Sequence, residues 1–181
     1  MQFCCLAETR LRSQSKVQEA NKVLEEVKNA CGGQVTPASV LEHASALHDL
    51  LAPKRFGTSK HEALQALATH WTDTMPMPDY AGVSSTKVLE SISRIKGFGD
   101  ATALTFLVKA LARPDVLVES DGLVKTWLHE HKGVDKDKDN NESKSARLEA
   151  TAAWKPWRSV GYLLICSAKP GARPGVASVL A

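Results

Sequence analysis

A glycine-rich turn between two helical patterns is the part of this sequence best suited to hold an anion. Gly97 and Gly99 are separated by one residue and carry no Cβ atom, so the backbone there can turn tightly and approach a ligand closely. Asp100 is expected to cap the following helix, whose first N–H groups lack partners within the helix. With Lys96 beside them, these amides predict a phosphate-binding site.

The carboxylate of Asp121 follows the turn and the second helical pattern, 22 residues after Gly99. It precedes an apolar helical pattern that contains Leu123, Val124 and Trp127, so a helix cap is one interpretation. A helix N-terminus also stabilises the ionised carboxylate, which could then support a developing cation or orient a water molecule. Both interpretations use the same carboxylate, and both stay open.

Helical periodicity runs through most of the chain. Apolar residues recur at helical spacing from Phe3, from Val17 and after Thr58, and again on either side of the glycine turn. Gly32-Gly33 is typical of a helix end, and Thr36-Pro37 is typical of a helix start. No convincing alternating strand pattern occurs in the sequence. The predicted fold class is therefore all-α, with many short helices.

Composition and these patterns together predict the domain organisation. Residues 1–15 are expected to form an N-terminal arm that can be helical, and residues 16–168 a single domain. Within that domain, residues 133–147 have mixed charges and no aromatic residue, which predicts a polar surface loop. Residues 169–181 contain prolines and glycines and are expected to be a flexible tail.

The composition limits the class of protein. A chain of 181 residues with 43% apolar content can form a domain with a hydrophobic core, and no apolar run is long enough to span a membrane. The net charge of +3 permits nucleic-acid binding without demanding it. The four cysteines lack the spacing of a zinc site. The N-terminus is a poor signal peptide, so the expected location is the nucleus of a eukaryote or otherwise the cytoplasm, without secretion.

Three segments carry a resemblance to a known family. Residues 89–103 follow the pattern L-x-x-I-x-x-I-x-G-x-G-x-x-T-A, residues 110–116 are ALARPDV, and residues 154–159 are WKPWRS. Together they resemble the helix-hairpin-helix, glycine/proline-aspartate (HhH-GPD) DNA glycosylases. The most similar branch is the alkylation-repair one, of the 3-methyladenine DNA glycosylase type. The resemblance extends back through Ser13-Gln14 and covers most of the chain.

This resemblance implies a multi-helix DNA glycosylase fold and a monofunctional enzyme of base excision repair. Such an enzyme flips a damaged, alkylated purine out of duplex DNA and hydrolyses its N-glycosidic bond. Asp121 would be the catalytic residue. Ala101 stands where lyase members carry a Schiff-base lysine, so no lyase activity is expected. The residues expected to bind DNA are Lys96, Gly97, Phe98, Gly99, Ala101 and Thr102.

The resemblance also implies ligands and partners. A monovalent cation, Na⁺ or K⁺, would lie beside the DNA phosphate on the main-chain carbonyls of Ser93, Ile95 and Phe98, and no cofactor is otherwise expected. The partner would be damaged double-stranded DNA, bound by a monomer without membrane association. Candidate aromatic residues for the base pocket are Phe3, Trp154, Trp157 and Tyr162. For at least two of the last three, core packing is the expected role.

The chain departs from the family pattern around the base pocket. Bacterial members carry aromatic residues at the positions of Ala101, Thr105 and Cys166, and an apolar wedge near Ser15 or Lys16. A non-catalytic DNA-binding relative, which keeps the hairpin but has lost the base pocket, is therefore the alternative function. A plain α-helical interaction domain is a third interpretation, and it would require the motifs to be coincidental.

Overall fold

The computed structural model describes residues 2–73, 79–138 and 140–168, and this part of the chain contains helices and turns but no β-strand. A short 3₁₀ turn, Ala152–Trp154, precedes the last helix. The predicted all-α class is confirmed. The α-helices are α1 (Gln2–Arg12), α2 (Val17–Ala30), α3 (Pro37–Glu42), α4 (Ala44–Leu51), α5 (Gly57–Asp73), α6 (Ser85–Ser93), α7 (Asp100–Lys109), α8 (Gly122–Lys132), α9 (Asn141–Ala150) and α10 (Arg158–Ser167).

The chain divides into two compact units, Met1–Leu111 and Ala112–Ala181. The first unit contains α1 to α7, and the second contains α8 to α10. The single domain expected for residues 16–168 includes parts of both units, and its bounds stay a prediction.

Helix α5 is central to the first unit, where it packs against α1, α3 and α4. Helix α1 also packs against α2 and α7. Leu6 and Leu11 of α1 are fully buried, as are Leu64 of α5 and Phe106 of α7. The expected N-terminal arm is therefore a core helix in its described part, because its apolar residues recur at helical spacing and face one side.

A row of aromatic side chains joins four parts of this unit. Phe3 packs edge-to-face against Trp71 at 5.7 Å between ring centroids, and Trp71 packs in the same way against Tyr80 at 6.0 Å. Tyr80 then meets Phe106 at 5.9 Å. Edge-to-face contacts of this kind add to the energy of apolar burial, so the row ties α1, α5 and α7 together.

Local signals set the helix ends around α2 and α3. Gly32 and Gly33 follow α2 with positive φ angles of 70° and 95°, which glycine adopts without strain. The Thr36 hydroxyl oxygen accepts a hydrogen bond from the Ser39 amide at 3.1 Å, and the Thr36 amide donates to the Ser39 hydroxyl oxygen at 2.9 Å. Together the two bonds form a capping box at the start of α3. Val17, the first apolar residue of the α2 pattern, is 71% exposed.

Helix α8 packs against α9 and α10 in the second unit. Trp127 lies in its core, stacked on His131 at 4.6 Å and edge-to-face with Trp154 at 5.3 Å between ring centroids. A Cβ atom at Gly161 would lie 2.7 Å from the ring of Trp154, so a residue without a side chain is needed there. Close approach at Gly161 lets Trp154 pack onto α10.

The expected polar loop over residues 133–147 is wrong in its second half, because α9 begins at Asn141. Asn140 caps this helix by accepting a hydrogen bond from the Ser143 amide at 2.8 Å. Arg147 is fully buried and donates to the Lys138 carbonyl at 3.1 Å. The polar composition hid a helix that buries one face through Ser143 and Arg147, one turn apart.

Within the described residues, no helix has the length and apolar character needed to cross a membrane. The expected tail at residues 169–181 lies outside the described residues.

Candidate active site

The glycine turn forms a hairpin between α6 and α7. Helix α6 ends at Ser93, and the Phe98 amide donates to the Ile95 carbonyl at 3.0 Å, which closes the turn. The Phe98 side chain is only 3% exposed, so it anchors the hairpin in the core and does not contact DNA through its ring. Because burial removes the ring from the surface, the prediction that Phe98 binds DNA applies to its backbone and remains a prediction.

The two glycines of the hairpin have different reasons to be glycine. Gly97 has a φ of +85°, and a Cβ atom on it would lie 2.6 Å from the Cβ of Ala63 in α5. Gly99 has a φ of −102° and a ψ of −179°, and a Cβ atom there would have open space around it. The fold therefore requires glycine at position 97 and leaves position 99 open for a close approach from outside.

The hairpin presents amide groups that the described protein does not use. The backbone N–H groups of Gly97, Gly99 and Ala101 have no hydrogen-bond partner among the described residues. Gly99 is the N-cap of α7, so the expectation that Asp100 caps this helix is wrong. Asp100 is the first residue of the helix instead, and its carboxylate accepts a hydrogen bond from the Ser93 hydroxyl at 3.0 Å. A helix start with unused amides is an anion-binding geometry.

Lys96 and Thr102 flank these amides. The Lys96 ammonium is exposed and forms a surface ion pair with Glu62 of α5 at 3.0 Å. Surface pairs of this kind contribute little free energy, so the ammonium can exchange Glu62 for a phosphate. Thr102 is half-buried, and its amide donates to the Gly99 carbonyl at 3.0 Å.

Asp121 lies in the second unit as the N-cap of α8. Its Oδ1 accepts a hydrogen bond from the Leu123 amide at 2.8 Å, and its own amide donates to the Val118 carbonyl at 3.1 Å. The side chain is neither fully buried nor fully exposed. The capping role is thus observed. The second carboxylate oxygen, Oδ2, has no hydrogen-bond partner among the described residues, so it can contact a ligand.

An ion pair joins two of the motif segments in this unit. Arg158 of the WKPWRS segment donates to both carboxylate oxygens of Asp115 in the ALARPDV segment, from Nε at 2.6 Å and from Nη2 at 3.0 Å. This bidentate geometry is the strongest form of an arginine–carboxylate pair. The Arg158 guanidinium holds the pKa of the Asp115 carboxyl below its usual value, against a smaller opposing effect of burial.

Ser159 completes the connection between the same two segments. Its hydroxyl donates to the Arg113 carbonyl at 2.5 Å and accepts from the Val116 amide at 3.0 Å, and its own amide donates to the Pro114 carbonyl at 3.0 Å. Ser159 is 5% exposed. Arg158 and Ser159 therefore fix the non-helical segment that leads to Asp121. The sequence contains both motifs but does not indicate that they contact each other.

Acid is expected to weaken the second unit through Asp115. Because the folded pKa is depressed, the stabilisation is fully present above the unfolded value of about 3.9 and is lost as the pH falls through the folded pKa. Urea unfolding between about pH 5 and pH 2 should show this loss. The Asp115→Asn variant should lose stability at pH 7 and show a shallower decline with acid. Equal pH dependence of the two proteins would contradict this assignment.

Three of the four candidate pocket aromatics are core side chains. Phe3 is 5% exposed in the first unit, and Trp154 and Tyr162 are 9% and 3% exposed in the second. Their burial favours the packing role expected for at least two of Trp154, Trp157 and Tyr162, and it favours the same role for Phe3. Trp157 is 61% exposed, so its ring is accessible to a ligand.

The positions where bacterial relatives are expected to carry aromatics are small or polar here. Ala101 is exposed, and Thr105 is half-buried one turn later on α7, with its hydroxyl donating to the Ala101 carbonyl at 2.8 Å. Cys166 is half-buried on α10. At the expected wedge position, Ser15 accepts a hydrogen bond from the buried Lys60 at 2.7 Å, and Lys16 is exposed.

The donors expected to hold a cation are neutral oxygens at the hairpin. The Ile95 carbonyl accepts one hydrogen bond, from Phe98, and keeps a second lone pair. Backbone carbonyls of this kind suit hard cations such as Na⁺ and K⁺. The described residues contain no cluster of three or more His, Cys, Asp or Glu side chains that could hold a metal ion.

In the described residues, the fold and these features define a helical protein with a helix-hairpin-helix turn and a helix-capping aspartate. The sequence model of the HhH-GPD superfamily of base excision DNA repair proteins matches residues 8–156. The chain belongs to this superfamily, as the motifs predicted. Comparison with the curated proteins gives no significant sequence match.

Two solved structures share the fold. The 3-methyladenine DNA glycosylase Mag1 of Schizosaccharomyces pombe, in complex with abasic DNA, superposes with a TM-score of 0.74 and 19% identity, covering 91% of this chain and 78% of Mag1. The DNA-3-methyladenine glycosidase of Bacillus halodurans superposes with a TM-score of 0.67 and 23% identity, covering 92% of this chain and 75% of that protein. The predicted multi-helix glycosylase fold is confirmed, and both neighbours are of the type that the motifs resemble.

Proposed function

We propose that this protein is a monofunctional DNA glycosylase that removes alkylated purines from duplex DNA, acting as a monomer. Membership of the HhH-GPD superfamily supports a role in base excision repair. The observation that carries the proposal is the open hairpin. The unused amides of Gly97, Gly99 and Ala101 and the open space at Gly99 can accommodate a DNA phosphate. Contacts to phosphate place an enzyme on the duplex without selecting a sequence.

Asp121 is assigned the chemical step. The target nucleotide leaves the base stack, because its glycosidic bond is inaccessible within the duplex. As the C1′–N bond breaks, its electron pair goes to the departing base and the sugar becomes oxocarbenium-like. The ionised Asp121 carboxylate stabilises that cation and orients the water that attacks C1′. The water adds its oxygen to C1′ and passes one proton to the Asp121 carboxylate, from which it goes to solvent.

One carboxylate is sufficient for this substrate class. A 3-alkylated purine carries a positive charge in DNA and departs as a neutral base, so it needs no strong general acid. Most glycoside hydrolases use two carboxyl groups because their leaving groups are poorer. Ala101 offers no amine for a Schiff base, which supports hydrolysis without a lyase step.

A bound Na⁺ or K⁺ is part of the proposal. The main-chain carbonyls of Ser93, Ile95 and Phe98 would hold it, and the ion would supply positive charge beside the phosphate at the hairpin. The neutral carbonyl donors fit such an ion and do not provide a site for a transition metal.

The test is base release from methylated duplex DNA, with the freed bases identified by chromatography. Release of 3-methyladenine, with strand breaks only after alkali and no borohydride-trapped covalent adduct, is the expected result. Duplex binding without base release would favour the alternative, a non-catalytic relative, which the small residues at positions 101, 105 and 166 support. Absence of duplex binding would contradict both functions.

A further inference from the structure

Two basic side chains are buried in the first unit without an acidic partner. Arg10 of α1 is 8% exposed, and Lys60 of α5 is 2% exposed. Neither forms a salt bridge within the described parts of the chain. Glu19 is exposed and has the smallest of the three effects on the pKa of Lys60. The pair therefore carries a positive charge that the described protein does not balance.

Neutral oxygens hold both side chains. The Arg10 guanidinium donates to the hydroxyls of Ser13 and Ser59, at 2.7 Å and 2.8 Å. The Lys60 ammonium donates to the Leu11 carbonyl at 2.8 Å as well as to the loop after α1. These hydrogen bonds fix the positions of the two cations without neutralising them.

Arg10 lies directly against the hairpin. Its Nε atom is 3.6 Å from the position that a Cβ atom on Gly97 would occupy. This Nε is buried and has no hydrogen-bond partner in the described structure. The positive charge is therefore next to the turn whose amides are unused.

Burial of an unbalanced charge costs folding free energy. Burial lowers the pKa of Arg10, and burial together with the charge of Arg10 lowers the pKa of Lys60. Replacing an unbalanced buried cation by an apolar side chain of similar size removes this cost, so stability is expected to be preserved or raised. A negatively charged ligand would balance the charges of Arg10 and Lys60 and so offset this cost.

We propose that Arg10, supported by Lys60, is the buried cationic part of the phosphate site at the hairpin. The amides fix the position of the phosphate, and the buried charges attract it through the low-dielectric protein interior. The inference rests on the proposed function, since DNA is the source of the phosphate.

Arg10→Met is the variant that tests this inference. Ser59 is exposed and Ser13 also donates to the Arg10 backbone carbonyl, so removal of the guanidinium leaves no buried acceptor stranded. The melting temperature is expected to be unchanged or higher. The Kd for a fluorescent undamaged duplex should rise about tenfold, the size expected for two unit charges roughly 10 Å apart at an effective dielectric constant near 20.

Two further variants separate charge from structure. Arg10→Lys keeps the unit charge and should bind within about threefold of wild type. Lys22→Gln removes an exposed charge from the same unit and should change the Kd by less than about threefold. If Arg10→Met does not fold, Lys60→Met is measured in the same way, with the same expected loss.

The outcomes distinguish this inference from the proposed function. A folded Arg10→Met variant, or a folded Lys60→Met variant in its place, with wild-type duplex affinity would overturn the inference while wild-type binding stands. Failure of both to fold would show a purely structural role and would also overturn it. Failure of the wild-type protein to bind duplex DNA would remove the proposed function itself.

Discussion

Asp121→Asn is expected to abolish release of alkylated bases and to leave the fold and duplex binding intact. The Asp121 Oδ1 atom caps α8 through the Leu123 amide, and an asparagine oxygen can accept the same hydrogen bond. The variant should therefore keep its free energy of unfolding within about 0.5 kcal/mol. The neutral amide cannot stabilise the sugar cation or take a proton from water, so the single-turnover rate should fall by at least about 100-fold.

Asp121→Ala is the matched comparison for the cap. It removes both roles, so it should be inactive and should also lose about 1 kcal/mol of stability. Base release and urea unfolding on the three proteins separate chemistry from capping. Wild-type activity in Asp121→Asn would show that the catalytic assignment is wrong, although the family membership would stand.

Substitutions of the two hairpin glycines are expected to affect different properties: that of Gly97 lowers stability, and that of Gly99 weakens DNA binding. Gly97→Ala should cost about 2–4 kcal/mol, because alanine is strained at a φ of +85° and its methyl group would collide with Ala63. Gly99→Val should fold normally, because the extended backbone at position 99 accepts a branched residue and space is open around it. Its side chain would obstruct the approach of a phosphate, so its duplex Kd should rise at least about tenfold, with little dependence on sequence.

Urea unfolding and fluorescence polarisation with undamaged duplexes of different sequence measure these effects. Wild-type affinity in Gly99→Val would show that the hairpin is a structural corner without a phosphate role. A stable Gly97→Ala protein would contradict the close packing between the hairpin and α5.

The sequence alone determined the features that depend on neighbouring residues. Helical periodicity gave the all-α class, and Gly32-Gly33 and Thr36-Pro37 gave the end of α2 and the start of α3. The hairpin and the helix start at Asp121 were visible for the same reason, since turns and caps need particular residues at particular spacings. The motifs also indicated the superfamily, which the match over residues 8–156 confirms.

The sequence failed where polar composition or a local rule hid the environment. Residues 141–147 were expected in a loop because of their charges, yet Asn140 starts a helix there and Arg147 is buried. Asp100 has the right type for a cap, but the chain places Gly99 at that position.

Only the tertiary structure decided which residues meet across long sequence separations. It distinguished Gly97, which α5 requires to be glycine, from Gly99, which the fold leaves open. It also connected Asp115 to Arg158, 43 residues away, and it buried Arg10 against the hairpin. Burial and long-range contacts arise from the packing of several helices at once, so no local spacing encodes them.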